Sequence, residues 1–163
     1  MTAYMFITGQ KQGKFQGEGA AEWKNWIPIL AFTLDLTVPT DSGTGQASGK
    51  RQYQPLTIIK TWGTASPQAL TACSTNEVLP TVSIQFLTVD PTGRESAFQN
   101  VNLTNARLRA IRRYIGDPQS AQGLQASSSE ATGLEQWSFV FQKIDIDDVP
   151  GSTTFADDWL VES

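Results

Sequence analysis

The chain has 163 residues, a net charge of −4 and 39% apolar residues, which suits one domain with a sizeable core. No run approaches the roughly 18 consecutive apolar residues of a membrane-crossing helix, and the acidic balance argues against a phosphate-binding footprint, so neither membrane insertion nor a nucleic-acid partner is expected. Histidine is absent, which removes Ser-His-Asp and Cys-His triads, His-ligated zinc and imidazole acid–base chemistry together, and the single Cys73 can form no internal disulfide.

The start, Met1-Thr2-Ala3-Tyr4-Met5-Phe6, has neither a basic region nor a long apolar stretch, so a cleavable signal peptide is not expected and folding in the cytoplasm is. Residues 4–8 read as a short first strand. Residues 29–36 read as a second, with Leu30, Phe32, Leu34 and Leu36 on one face, and residues 53–60 as a third. Between the last two lies a long loop, residues 38–51. Residues 66–74 read as a short helix, with Ser66 as N-cap, Pro67 at the first helical position, and Leu70 and Cys73 on one side. Val82, Ile84 and Phe86 alternate with polar residues at the strand period of two. The turn signal Asp90-Pro91-Thr92-Gly93 pairs that strand with residues 95–103 as a hairpin. Ala106, Leu108 and Ala110 then alternate with arginines. Residues 117–133, rich in Ser, Gln, Ala and Gly, read as a second long loop. The last strand is residues 137–146, with Trp137, Phe139 and Phe141 on one face and Val140, Ile144 and Ile146 on the other, as in a strand covered on both sides. Some seven strands, one short helix and two long loops predict a mainly β fold, a barrel or a sandwich.

The loop at 38–51 is the first candidate site. Hairpin connections usually take about two to five residues, so a longer one without hydrophobic periodicity is disordered or functional. Gly43, Gly45 and Gly49 permit tight bends, Pro39 and Asp41 favour a defined turn, and Val38, Tyr53 and Leu56 are placed to anchor the loop ends in a core. Arg107, Arg109, Arg112 and Arg113 form either a cationic stripe or the solvated face of a strand, and the second reading is favoured. Asp145, Asp147 and Asp148 suggest a calcium site or a carboxylate pair for hydrolysis. They lack both the EF-hand spacing and an opposed carboxylate, so surface solubilisation is favoured. Trp23, Trp26, Trp62, Trp137 and Trp159 raise a sugar-binding platform against core packing or chain–chain contact, with Trp137 assigned to the core. Cys73 reads as a small buried hydrophobe. Gly43-x-Gly45 has no strand–turn–helix context and is no phosphate loop. No catalytic residue, cofactor or metal is expected.

Taken in order, these segments resemble the Hcp family, the haemolysin-coregulated tube proteins of type VI secretion. The resemblance is clearest in Val38-Pro39-Thr40-Asp41, Thr44-Gly45 and Gly49-Lys50-Arg51. It extends through Tyr4-Met5-Phe6-Ile7, Lys60, Ser66-Pro67 with Leu70, the strand up to Ile144, and Asp158-Trp159, while residues 9–26 fit only loosely. It implies a single domain over residues 1–163: a small β-barrel of two antiparallel sheets with one flanking helix and an extended loop. It also implies homohexameric rings stacked into a hollow tube. Spike protein, contractile sheath, baseplate and effector proteins would be its partners, and the type VI machine would export it. Val38, Pro39, Thr40, Asp41, Thr44, Gly45, Gly49, Lys50 and Arg51 are expected at the subunit or ring interface. A tail-tube protein of a phage-like contractile particle and a monomeric β-barrel binding a glycan or small ligand are the alternative readings.

Overall fold

The computed structural model describes residues 1–115 and 133–158. The expected loop at 117–133, apart from Gly133, and Trp159 therefore lie outside the described residues. The described residues are mainly β, with two main antiparallel sheets, one short α-helix and a long extended loop, as expected. In chain order the first elements are β1 (Thr2–Gly9), β2 (Gly13–Lys14), β3 (Ile27–Ile29), β4 (Ala31–Thr33), β5 (Leu36–Thr37), β6 (Gln52–Tyr53) and β7 (Leu56–Thr61). They are followed by α1 (Ser66–Ser74), β8 (Leu79–Val89), β9 (Glu95–Ile115), β10 (Gly133–Val140), β11 (Lys143–Asp148) and β12 (Thr153–Asp158).

One sheet holds β2, β1, β8, the first half of β9, β11 and β12, with β3 on the free side of β1. The second holds β4, β7, β10 and the last part of β9. They cover one core that includes Met5, Ile7, Leu56, Ile58, Val82, Ile84, Leu103, Leu108, Trp137, Phe139 and Ile144. The sheets are joined twice. The long strand β9 pairs β8 and β11 along its first half and β10 along its second. On the other side the chain passes from β3, on β1, to β4, on β7, through Leu30, whose N–H donates to the Ile59 carbonyl at 2.7 Å.

That crossing corrects the strand expected at 29–36. It is three short pieces, because the chain changes sheets within it. Ile29 is buried, whereas Leu30 is 65% and Leu36 46% exposed. The strand expected at 137–146 is likewise two, broken at Phe141–Gln142. Both break and bend fall at one corner: β9 turns at Asn105 (φ +50°), whose side-chain amide donates to Gln142 Oε1 at 3.1 Å. The corner inverts side-chain parity. Val101 and Leu103 precede it and Ala106 and Leu108 follow it, all facing one core, as do Phe139 and Ile144. A strand covered on both faces is therefore not needed, and Val140 lies partly in solvent.

The 90–93 turn is as expected: Asp90 Oδ1 accepts from the Thr92 and Arg94 N–H groups, and Gly93 takes φ +85°. The helix starts one residue earlier than predicted. Ala65 is the N-cap, Ser66 opens the helix, and its buried face is Ser66, Ala69 and Ala72, with Leu70 partly in solvent and Cys73 half-buried.

Candidate functional site

Residues 36–53 form a hairpin that stands apart from both main sheets. Its root is the β5–β6 pair, Leu36 opposite Tyr53 and Thr37 opposite Gln52, and this ladder belongs to neither larger sheet. Beyond it, Thr40 bridges Ala47 and Ser48 N–H donates to the Pro39 carbonyl at 2.8 Å. The tip is a closed turn. Asp41 N–H donates to the Gln46 carbonyl and Gly45 N–H to the Asp41 carbonyl, both at 2.7 Å, while Asp41 Oδ1 accepts from Gly43 N–H. Gly45 has φ +73°, a conformation that glycine adopts without a side-chain clash. Pro39 and Asp41 thus shape the turn as the sequence suggested, and the segment is folded by its own backbone bonds. Residues 40–50 are exposed throughout. Of the three expected anchors, Leu56 is fully buried and Tyr53 half-buried, but Val38 is 47% exposed. Val38 and Leu36 are apolar side chains held out on a structured arm.

The hairpin's root is fixed by chemistry that the sequence did not announce. Asp157 Oδ2, on β12, accepts from Arg51 Nε at 2.5 Å and from the Tyr53 hydroxyl at 2.7 Å, and Arg51 Nη2 reaches the Asp158 carbonyl at 3.2 Å. The Tyr53 ring meets Phe141 edge to face, centroids 5.3 Å apart. The Arg51 guanidinium holds the Asp157 carboxyl below its usual range, with the Tyr53 hydroxyl adding to the effect. Burial and the bond to Asp157 push the Tyr53 phenol up. Arg51 just precedes β6 and Tyr53 ends it, and both side chains reach the same carboxylate, but their partner lies more than a hundred residues away.

The other candidates disperse. Arg107 donates to the Asn76 carbonyl, Arg112 lies over Tyr114, and Arg113 pairs with buried Glu135 and stacks on Trp62 at 4.3 Å, so these three arginines have separate partners. Asp148 closes the turn after β11, accepting from Gly151 N–H and Gln99, and Asp145 sits 3.8 Å from Lys143. Among the described residues no cluster of three acidic or thiol side chains is placed to hold a metal ion. Trp137 is core, as expected. Trp23 stacks flat on Tyr4 at 4.4 Å and meets Trp26 edge-on, which makes both part of the chain's own packing rather than an open platform.

A second buried network also escaped the sequence reading. Glu135, fully buried, accepts from Arg113 at 2.6 Å, Ser66 Oγ at 2.8 Å and Lys60 Nζ at 3.5 Å. Lys60 also pairs with Glu18 at 2.9 Å and lies over the Trp137 ring. The charges balance, two against two, and tie the helix start, β7, β9 and the 15–20 segment together.

Residues 4–147 match the family model described as "Type VI secretion system effector, Hcp". The chain belongs to the Hcp family. It is 28% identical to the "Major exported protein" of Pseudomonas aeruginosa, across 96% of this chain and 94% of that protein. Among solved structures, an Hcp protein superposes with TM-score 0.86 at 22% identity, covering 98% of this chain and 99% of that one. Hcp1 of E. coli EAEC 042 superposes with TM-score 0.82 at 21% identity over the same shares. The secreted Hcp3 of Pseudomonas aeruginosa gives 0.77 at 24% identity, with 97% of each chain covered. At these identities the structural likeness speaks for the fold.

Proposed function

We propose that this Hcp chain is a structural subunit and not an enzyme. In this reading it closes into homohexameric rings, the rings stack into the inner tube of a type VI secretion machine, and the tube is exported with effector proteins in its lumen. Sheath, baseplate and spike would be its working partners. Family membership supports the tube, and the exported relative in Pseudomonas aeruginosa supports secretion.

The observation that carries the reading is the hairpin at residues 36–53. A segment that spends its own backbone bonds on staying folded, yet presents Leu36 and Val38 to solvent, is suited to a contact with another chain. Rings close through heterologous contacts, in which one patch of a subunit meets a different patch of the next, and a projecting arm is natural material for that. The interface residues are then Val38, Pro39, Thr40, Asp41, Thr44, Gly45, Gly49, Lys50 and Arg51, with Arg51 acting at the root. Light scattering of the purified chain tests the ring: a mass six times the 17.8 kDa chain, with open-centred particles in negative stain, is expected. A monomer at every concentration, unchanged by sugars or by other chains of the machine, would overturn it.

A further inference from the structure

We propose that Asp157, on the last strand, is the positioning residue of the extended hairpin, holding its root at one angle to the two sheets through Arg51 and Tyr53. The inference rests on the proposed reading of the hairpin as an assembly contact, and it names the device that aims that contact.

The β5–β6 ladder is two residues long and joins neither main sheet. A two-stranded ribbon of that size is marginal in water and sets no direction of its own. Direction has to come from the root. There one carboxylate oxygen takes two donors from the start and the end of the β6 segment: the planar Arg51 guanidinium, just before the strand, and the Tyr53 hydroxyl within it. A charge-assisted bond from a rigid donor fixes direction as well as distance. The second Arg51 bond, to the Asp158 carbonyl, resists rotation about the first. The Tyr53 ring, edge-on to Phe141, closes the remaining freedom. The anchor itself is firm, because Asp157 stands opposite Ile144, a fully buried core residue of β11. The Arg51 and Asp157 side chains are 24% and 14% exposed, so solvent screens the pair less than an open surface pair. A consequence is that the C-terminal strand, far from the hairpin in sequence, is part of the assembly apparatus.

The test uses the full chain in four forms: wild type, Asp157→Asn, Arg51→Met and the double variant. Phe155→Ala serves as a control that disturbs β12 without removing the carboxylate. Amide hydrogen exchange is read at Ser48, whose N–H donates to Pro39 within the hairpin, and at Gln54, whose N–H donates to Asp35 just below its root. Assembled mass is read alongside. Exchange at both amides should rise about tenfold in Asp157→Asn, with β8 and β9 unmoved. The double variant should be no worse than either single, as for residues acting as one unit, and Phe155→Ala should leave both amides slow. Unchanged exchange at Ser48 and Gln54 in Asp157→Asn would overturn the proposal, as would acceleration spread evenly over β8 and β9. If the hairpin loosens and assembled mass stays at the wild-type value, the positioning role stands and the assembly reading of the hairpin falls.

Discussion

Glu135 has no access to solvent, yet it carries a charge, so its partners decide whether it stabilises the fold. Arg113, Ser66 and Lys60 satisfy both of its oxygens, and Lys60 is balanced in turn by Glu18. Removing one member of such a set leaves a buried opposite charge, which costs about 3–5 kcal/mol. Glu135→Gln should therefore lower stability by about 3 kcal/mol in urea titration, a fall in Tm of about 6–12 °C for a chain of this length. A loss below about 1 kcal/mol would mean that the network is solvated. The carboxylates of Asp157 and Glu77 make the fold acid-sensitive. Asp157 is held below its usual range chiefly by Arg51. Glu77 is pushed up by burial but pulled down further by the N–H groups of Gln12 and Lys11 and the Gln12 amide. Both have folded-state pKa values below the unfolded ones. Their contribution is complete above the ordinary carboxylate pKa of about 4 and drains away as pH falls through the folded values. The urea midpoint should drop between about pH 5 and pH 2, and Asp157→Asn or Glu77→Gln should each flatten that fall.

The corner where β9 and the β10–β11 pair leave one sheet for the other turns on Asn105. A residue at φ +50° is tolerable for Asn, costs glycine nothing and strains a β-branched side chain. Asn105→Gly should keep the fold near wild-type stability, less the bond to Gln142, whereas Asn105→Val should be a further 1–2 kcal/mol or so worse by thermal melt. Equal melting of the two would show that the bend is set elsewhere. The same corner explains which elements could be read from the sequence. Val82, Ile84 and Phe86 keep one parity on one sheet, and the Asp90–Gly93 turn is local, so strand, turn and hairpin partner were legible there. Around Asn105 and Phe141–Gln142 the parity inverts, and at Leu30 the chain changes sheets, so a period-two pattern reads straight across breaks that only tertiary packing creates. The long 38–51 segment was recognisable from its length and glycines. Its root was not, because Asp157 carries no local signal linking it to Arg51 and Tyr53, and Glu135 carries none linking it to Lys60.

At the scale of the whole molecule, the core and the outer part of the arm are separate. No residue from 40 to 50 is buried, and the hydrophobic cluster contains none of them. Replacing residues 41–49 by a tight Asn-Gly turn removes no core contact and shortens a loop, which entropy favours slightly. The melting temperature should stay within about 2 °C of wild type, as for surface changes generally. On the proposed reading of the arm as an assembly contact, assembly should respond differently, because the tip and the exposed Val38 are then what it offers another chain. The shortened variant should give rings that no longer build into longer particles, read by sedimentation and by particle length in negative stain. Tubes of wild-type length from a chain lacking the tip would place the ring contacts in the sheets and leave the arm without an assembly role. A fall in melting temperature far beyond that margin would mean instead that the arm supports the fold, against the exposure of every residue from 40 to 50.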